Sequence, residues 1–112
     1  FGCGGDRDQS KRAVMGSIAQ RYADVIIVTD DNPRTEDPAA IRAMVLSECP
    51  DGKEIGDRRA AIEHALTHSD PQKDIVLIAG KGDETYQIIG TTKYPFDDYA
   101  IAEAFLNHRS SE

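Results

Sequence analysis

The sequence has no apolar run approaching the roughly 20 residues that a membrane-spanning helix requires, which leaves no candidate span. Positive charge is also scarce. Thirteen Lys and Arg stand against twenty Asp and Glu, a formal net charge of −7. Only Lys11-Arg12 and Arg58-Arg59 set two such cations side by side. With no basic stripe to neutralise phosphates, a nucleic-acid role is disfavoured. The two cysteines, Cys3 and Cys49, lie far apart and outside any ligand spacing, so they read as free thiols in a reducing compartment. No signal peptide is expected, and the residues given show no internal repeat and no low-complexity linker.

The familiar phosphate motifs are missing as well. A dinucleotide fingerprint begun at Gly2 would need glycine where Arg7 stands. A P-loop ending in Gly80-Lys81 would need glycine at Ile75 and Ser or Thr at Gly82. His64 and His68 are four apart on an expected helix, but no third metal ligand accompanies them. No Ser/His/Asp or Cys/His arrangement is suggested, and no catalytic residue is assigned to this chain. The 112 residues make one domain, 1–112, with 39% hydrophobic and 29% charged residues as expected of a globular fold. The opening, Phe1-Gly2-Cys3-Gly4-Gly5, reads as the tail of a truncated strand, so a fragment of a longer multidomain protein is expected.

What is present centres on Val25-Ile26-Ile27-Val28-Thr29-Asp30-Asp31-Asn32-Pro33-Arg34. The apolar run, bounded by turn residues, predicts a strand over 25–29 buried on both faces, the kind found in parallel sheets. Ile75 to Ala79 predicts a second fully buried strand, Lys53 to Ile55 a short one, and Tyr86 to Ile89 a further strand before a turn at Gly90 to Lys93. Helices are predicted from Lys11 to Tyr22 with Val14, Met15, Ile18, Ala19 and Tyr22 inward, and after Asp37-Pro38 with Ile41, Met44 and Val45 inward. A third is capped by Asp57 and buries Ile62, Ala65 and Leu66. A last is capped by Asp97-Asp98 and carries Ile101, Ala104 and Phe105, before a frayed tail from Asn107 to Glu112. Helices alternating with buried strands imply an α/β fold: a Rossmann-like layered domain with a mostly parallel sheet and helices on both faces.

In such sheets ligands bind beyond the carboxyl ends of the strands. Three polar loops, 4–8, 30–34 and 80–84, would converge on that edge. Asp31, Asn32 and Arg34 offer an acceptor-only anion, a mixed donor and acceptor, and a bidentate cation, a set suited to a zwitterionic amino acid. Asp30-Asp31 also fits a Mg²⁺ site, or one capping carboxylate and one solvated one. The glycines also fit plain tight turns that need positive φ.

The order Gly4-Gly5-Asp6-Arg7-Asp8, Lys11-Arg12, Thr29-Asp30-Asp31-Asn32-Pro33-Arg34, Glu36-Asp37-Pro38, Asp57-Arg58, Ala79-Gly80-Lys81-Gly82, Glu84, Tyr86-Gln87 and Phe96-Asp97-Asp98 resembles the C-terminal domain of a Mur ligase. Within that family it is most similar to the MurE type, which adds meso-diaminopimelate to UDP-N-acetylmuramoyl-L-alanyl-D-glutamate. The resemblance implies a cytoplasmic, ATP- and Mg²⁺-dependent ligase of peptidoglycan synthesis working through an acyl phosphate. It implies that ATP, Mg²⁺ and the nucleotide-linked dipeptide are held mainly by preceding domains absent here, so that the fragment alone is inactive. By the same resemblance Arg7, Asp31, Asn32, Pro33, Arg34, Gly80 and Glu84 contact diaminopimelate. Two positions depart from the family pattern: Ala13 stands where proline is common and Asp83 where histidine is frequent. A competing reading is a receiver-like phosphotransfer domain built on Asp30-Asp31, Asp57 and Lys81, and a plain interaction domain is a second.

Overall fold

The computed structural model describes residues 1–110. Among these, helix α1 spans Ser10–Tyr22, strand β1 Ile27–Val28, helix α2 Pro38–Leu46, strand β2 Lys53–Glu54, helix α3 Arg58–Thr67, strands β3 Tyr86–Ile89 and β4 Thr92–Pro95, and helix α4 Asp98–Ser110. β1 and β2 pair in parallel, with Ile27 opposite Lys53 and Val28 opposite Glu54. β3 and β4 form an antiparallel hairpin, Tyr86 opposite Pro95 and Ile89 opposite Thr92. The chain start flanks β1 on its other side: the Phe1 amine donates to Ile27 O at 3.1 Å, and Thr29 N–H donates to Phe1 O at 2.9 Å. No helix among the described residues is long and apolar enough to cross a membrane.

The helix starts follow local chemistry. The Asp37 side chain accepts from Ala39 N–H, and Pro38 follows at the first helical position, where its missing N–H costs nothing. Asp57 accepts from Ala60 N–H, so its carboxylate is a helix cap rather than a phosphate acceptor. Asp97 accepts from Ala100 N–H at the start of α4. Its neighbour Asp98 is turned inward instead.

Two apolar clusters hold the elements together. The first joins Cys3, Ile26, Val28, Ile41, Val45 and Cys49, with Phe1, Met15, Ala19 and Leu46 against it. The second joins Ile62, Leu66 and Ile101, with Val76, Ile78, Phe96, Ala102 and Phe105 around them.

Several expectations need correction. Residues 75–79 form no strand: Ile75 and Leu77 are 96% and 82% exposed, while Val76 and Ile78 turn onto the second cluster. The segment keeps a strand's alternation but has no ladder partner among the described residues. Val25 is exposed because it precedes the first ladder bond, which Lys53 N–H makes to Ile26 O. α1 buries a different face from the one its apolar residues suggest. Val14, Ile18 and Tyr22 face solvent; Arg12 and Gly16 are buried, with Met15 and Ala19 beside them. The reason is a charged anchor: Arg12 makes a two-pronged ion pair with Glu36, and this fixes the helix's rotation. Ala104 is exposed on α4. Thr92 and Lys93, expected in a turn, begin β4. Asn107 to Ser110, expected to fray, continue α4, and Arg109 Nη1 donates to Leu66 O at 2.7 Å. Ser111 and Glu112 lie outside the described residues.

Candidate functional site

The three polar loops meet. The 4–8 loop docks on the 30–34 loop through Gly5 N–H donating to Asn32 O at 2.8 Å. A Cβ at Gly5 would collide with the Pro33 carbonyl, so only glycine permits this approach. Asp6 accepts from the Thr35 hydroxyl and amide, and its own N–H donates to Glu36. The 30–34 loop joins the 80–84 loop through Asn32. Its Oδ1 accepts from Lys81 Nζ at 2.7 Å and from Ile88 N–H at 3.0 Å, and its Nδ2 donates to Glu84 Oε1 at 3.3 Å.

Arg34 sits in a left-handed backbone conformation, φ 53°, rare for a side chain of its size. The strain is held by neighbours: Arg34 N–H donates to Ile88 O, and Gly90 N–H donates to Arg34 O. One guanidinium nitrogen, Nη1, donates to Gly5 O at 2.9 Å and lies 3.5 Å from Asn32 O. Among the described residues no partner takes Nε or Nη2.

Asp31 is mostly buried. Its Oδ1 lies 3.1 Å from Lys81 Nζ, an ion pair whose angle falls short of a hydrogen bond, and its backbone oxygen accepts from Gln87 Nε2 at 2.7 Å. Glu84 is half-exposed, 3.7 Å from the same ammonium. Gly80 has φ 113°, a conformation that glycine alone adopts without strain, and is exposed at the mouth of the site. Arg7 is exposed and holds only Asp6 O, at 3.3 Å. Arg7, Asp31 and Gly80 share a cleft of about 210 Å³ with Gly2 and Lys11. Pro33 is buried behind the site and directs no polar side chain into it. Of the residues expected to bind ligand, Asp31, Asn32 and Glu84 share one ion-pair cluster. Arg34 reaches the 4–8 loop at Gly5 O beside the Asn32 backbone, and Arg7 lines the cleft with its one hydrogen bond to Asp6 O.

Beneath the loops lies a second set of charges that sequence reasoning did not assign. Arg58 is 1% exposed. Its guanidinium grips both oxygens of Asp98 at 2.8 Å and donates to Asp30 O, at the start of the 30–34 loop, and to Ala79 O, just before the 80–84 loop. Arg12 is buried likewise and adds Gly4 O to its grip on Glu36. The Arg12 hydrogen bonds, helped by the Asp6 amide, hold the Glu36 carboxyl down at about 2. Asp30, pushed up by burial, is met by Arg42 at 2.6 Å, whereas Asp31 is paired with Lys81. The partners of Arg12 and Arg58 lie 24 and 40 residues away, so no spacing could have paired them. Lys81, set between two glycines after an apolar run, carried the clearer signal. Among the described residues no group of three or more His, Cys, Asp or Glu is arranged for a metal. His64 and His68 stack on each other at 4.1 Å on the surface.

A parallel pair flanked by helices, with polar loops tied together at its edge and an incompletely partnered guanidinium and carboxylates within them, defines an α/β domain with a polar site at one end of the pair. The chain belongs to the Mur ligase family: the model "Mur ligase, glutamate ligase domain" matches residues 1–82. Among its relatives, the UDP-N-acetylmuramoyl-L-alanyl-D-glutamate–2,6-diaminopimelate ligase of Rickettsia felis is 53% identical over 97% of this chain and 21% of its own. That of Brucella melitensis is 52% identical over 100% of this chain and 23% of its own. A solved structure of a ligase of the same name superposes with a TM-score of 0.91 at 41% identity, covering 98% of this chain and 23% of the other. The chain therefore spans between a fifth and a quarter of the relatives it matches.

Proposed function

We propose that residues 1–112 form the amino-acid-binding domain of an ATP-dependent ligase that joins meso-diaminopimelate to UDP-N-acetylmuramoyl-L-alanyl-D-glutamate. The reading draws on the relatives' names and rests above all on one observation: Arg34 is held by one nitrogen and leaves two unspent. Diaminopimelate differs from lysine in a distal carboxylate beside its distal amine. The free guanidinium edge takes that carboxylate, a charge-assisted contact worth about 1.5–3 kcal/mol. Asp31 and Glu84 take the distal ammonium, Asn32 Nδ2 supplies a donor, Arg7 closes the cleft, and Gly80 lets the ligand reach the backbone. With lysine, the guanidinium would be desolvated and unpaired, and sites of this kind reject such analogues by roughly 10⁴-fold.

The domain's part is to bind and orient the attacking amine. ATP supplies an activated carboxyl when bound, but the residues here do not form its cradle: no P-loop is present, and Asp30 is committed to Arg42. ATP, Mg²⁺ and the nucleotide-linked dipeptide belong to the rest of the protein, and this domain alone carries no ligase activity. A reaction fed by ATP and a UDP-linked precursor takes place in the cytoplasm. We read the β1–β2 pair, flanked by Phe1 and contacted by α2 and α3, as part of a Rossmann-like layered sheet. The receiver reading loses its acceptor, since Asp57 caps α3.

The test is Arg34→Ala in the full-length protein, with amide formation measured for meso-diaminopimelate and for lysine. kcat/KM for diaminopimelate is expected to fall at least 100-fold while lysine use changes little, narrowing the ratio between them. An unchanged ratio removes Arg34 from this role.

A further inference from the structure

Lys81 sits at the centre of the site yet has no direction in which to meet a ligand. Its side chain is 0% exposed. Its ammonium donates to Asn32 Oδ1 at 2.7 Å and Tyr86 O at 2.9 Å, and is ion-paired with Asp31 Oδ1 at 3.1 Å. Glu84 Oε1 follows at 3.7 Å. A cation placed to grip a substrate would be open to the cleft rather than enclosed by these oxygens.

The consequence falls on Asn32. An amide side chain has one accepting and one donating end, and its orientation is decided by its neighbours. Lys81 Nζ and Ile88 N–H can only donate, and both point at the same atom, which must be the oxygen. The NH₂ end is therefore turned toward Glu84. Lys81 also stands between two carboxylates, Asp31 and Glu84, that would otherwise repel each other across the position assigned to the ligand's ammonium.

We infer that Lys81 is a positioning residue for amino-acid recognition. It locks Asn32 with its donor end toward the site and holds Asp31 and Glu84 close enough to share one ammonium of the ligand. The inference deepens the diaminopimelate reading above and rests on it. The competing account is that Lys81 only stabilises the fold as a buried, paired cation.

The experiment uses the full-length protein with meso-diaminopimelate, ATP and the nucleotide-linked dipeptide varied separately. Lys81→Met removes the charge and the donors. KM for diaminopimelate is expected to rise about 30-fold, the scale of a lost hydrogen bond to a charged group, with kcat and the other two KM values within about threefold. Lys81→Gln keeps a shorter neutral donor for Asn32, is easier to accommodate, and is expected to fall between the parent and Lys81→Met. It carries the test if the methionine variant does not fold. In an Asn32→Ala background the Lys81 substitution should add less than its effect in the parent, because it acts through Asn32. Parent-like KM values in both Lys81 variants would overturn the inference. So would parallel losses in kcat and all three KM values, or full additivity with Asn32→Ala. If Asn32→Ala raises KM for diaminopimelate while the Lys81 variants do not, only the role of Lys81 fails. If Asn32→Ala itself leaves that KM unchanged, the amino-acid reading of the site fails with it.

Discussion

The arginines of the floor and those of the rim make an instructive pair. Arg12 and Arg58, beneath the loops, are each 1% exposed and clasp a carboxylate with two nitrogens while binding backbone carbonyls as well. Arg34 and Arg7, in the loops themselves, spend one nitrogen each on backbone oxygens. The residue type is the same and the chemistry opposite. A buried guanidinium that clasps a carboxylate with two nitrogens serves the fold; one nearer solvent that spends a single nitrogen is available to a ligand. Burial and partner count separate the two where charge alone does not.

The largest effect that would sharpen this comparison is expected at Arg58. Arg58→Ala leaves the Asp98 carboxylate buried without its partner, a loss of about 3–5 kcal/mol, and releases Asp30 O and Ala79 O together. Urea denaturation should show the drop; a change below about 1 kcal/mol would mean that Arg58 is no keystone of the floor. A smaller effect is expected from acid. Glu36 titrates at about 2 in the fold against 4.5 in its ordinary state. Its folded value is depressed, so its stabilisation is complete above about pH 4.5 and is lost as pH falls toward about 2. Melting temperatures of the parent and Glu36→Gln should therefore converge over that interval, and a constant gap would deny the pairing with Arg12. The smallest effect is expected at the rim. Arg7→Ala should alter stability by no more than about 0.5 kcal/mol, as for other exposed positions, while raising KM for the amino acid. A large loss of stability there would erase the distinction between floor and rim.

The sequence was most informative where one residue decides a local outcome. Asp37-Pro38 and Asp57 announced two helix starts, and the caps are formed as expected. Ile41, Val45, Ile62 and Leu66 pointed inward as their periodicity required. The meeting of three loops followed from reading each as the end of a strand, although only β1 is a formed strand among the segments that precede them. Apolar content misled where a polar interaction had priority. α1 was oriented by Arg12 and Glu36, and its Val14 and Ile18 were left outside. Ile75 and Leu77 had strand-forming side chains but no ladder, and hydrogen bonds between segments cannot be read from the residues of one. The same limit hid Arg58: its value lies in Asp98, and nothing local marks the pair.

Asn32 has one further consequence. Its backbone oxygen receives Gly5 N–H, its side-chain oxygen receives Lys81 and Ile88, and its amide reaches Glu84. A single residue thus ties the 4–8 and 80–84 loops to the 30–34 loop, and neither can open without tearing a bond to Asn32. A small molecule arriving here meets a preorganised seat, so most of the entropic cost of shaping it falls on folding rather than on binding. Discrimination between ligands then depends on which groups they carry, with little room for the seat to adapt to the wrong one.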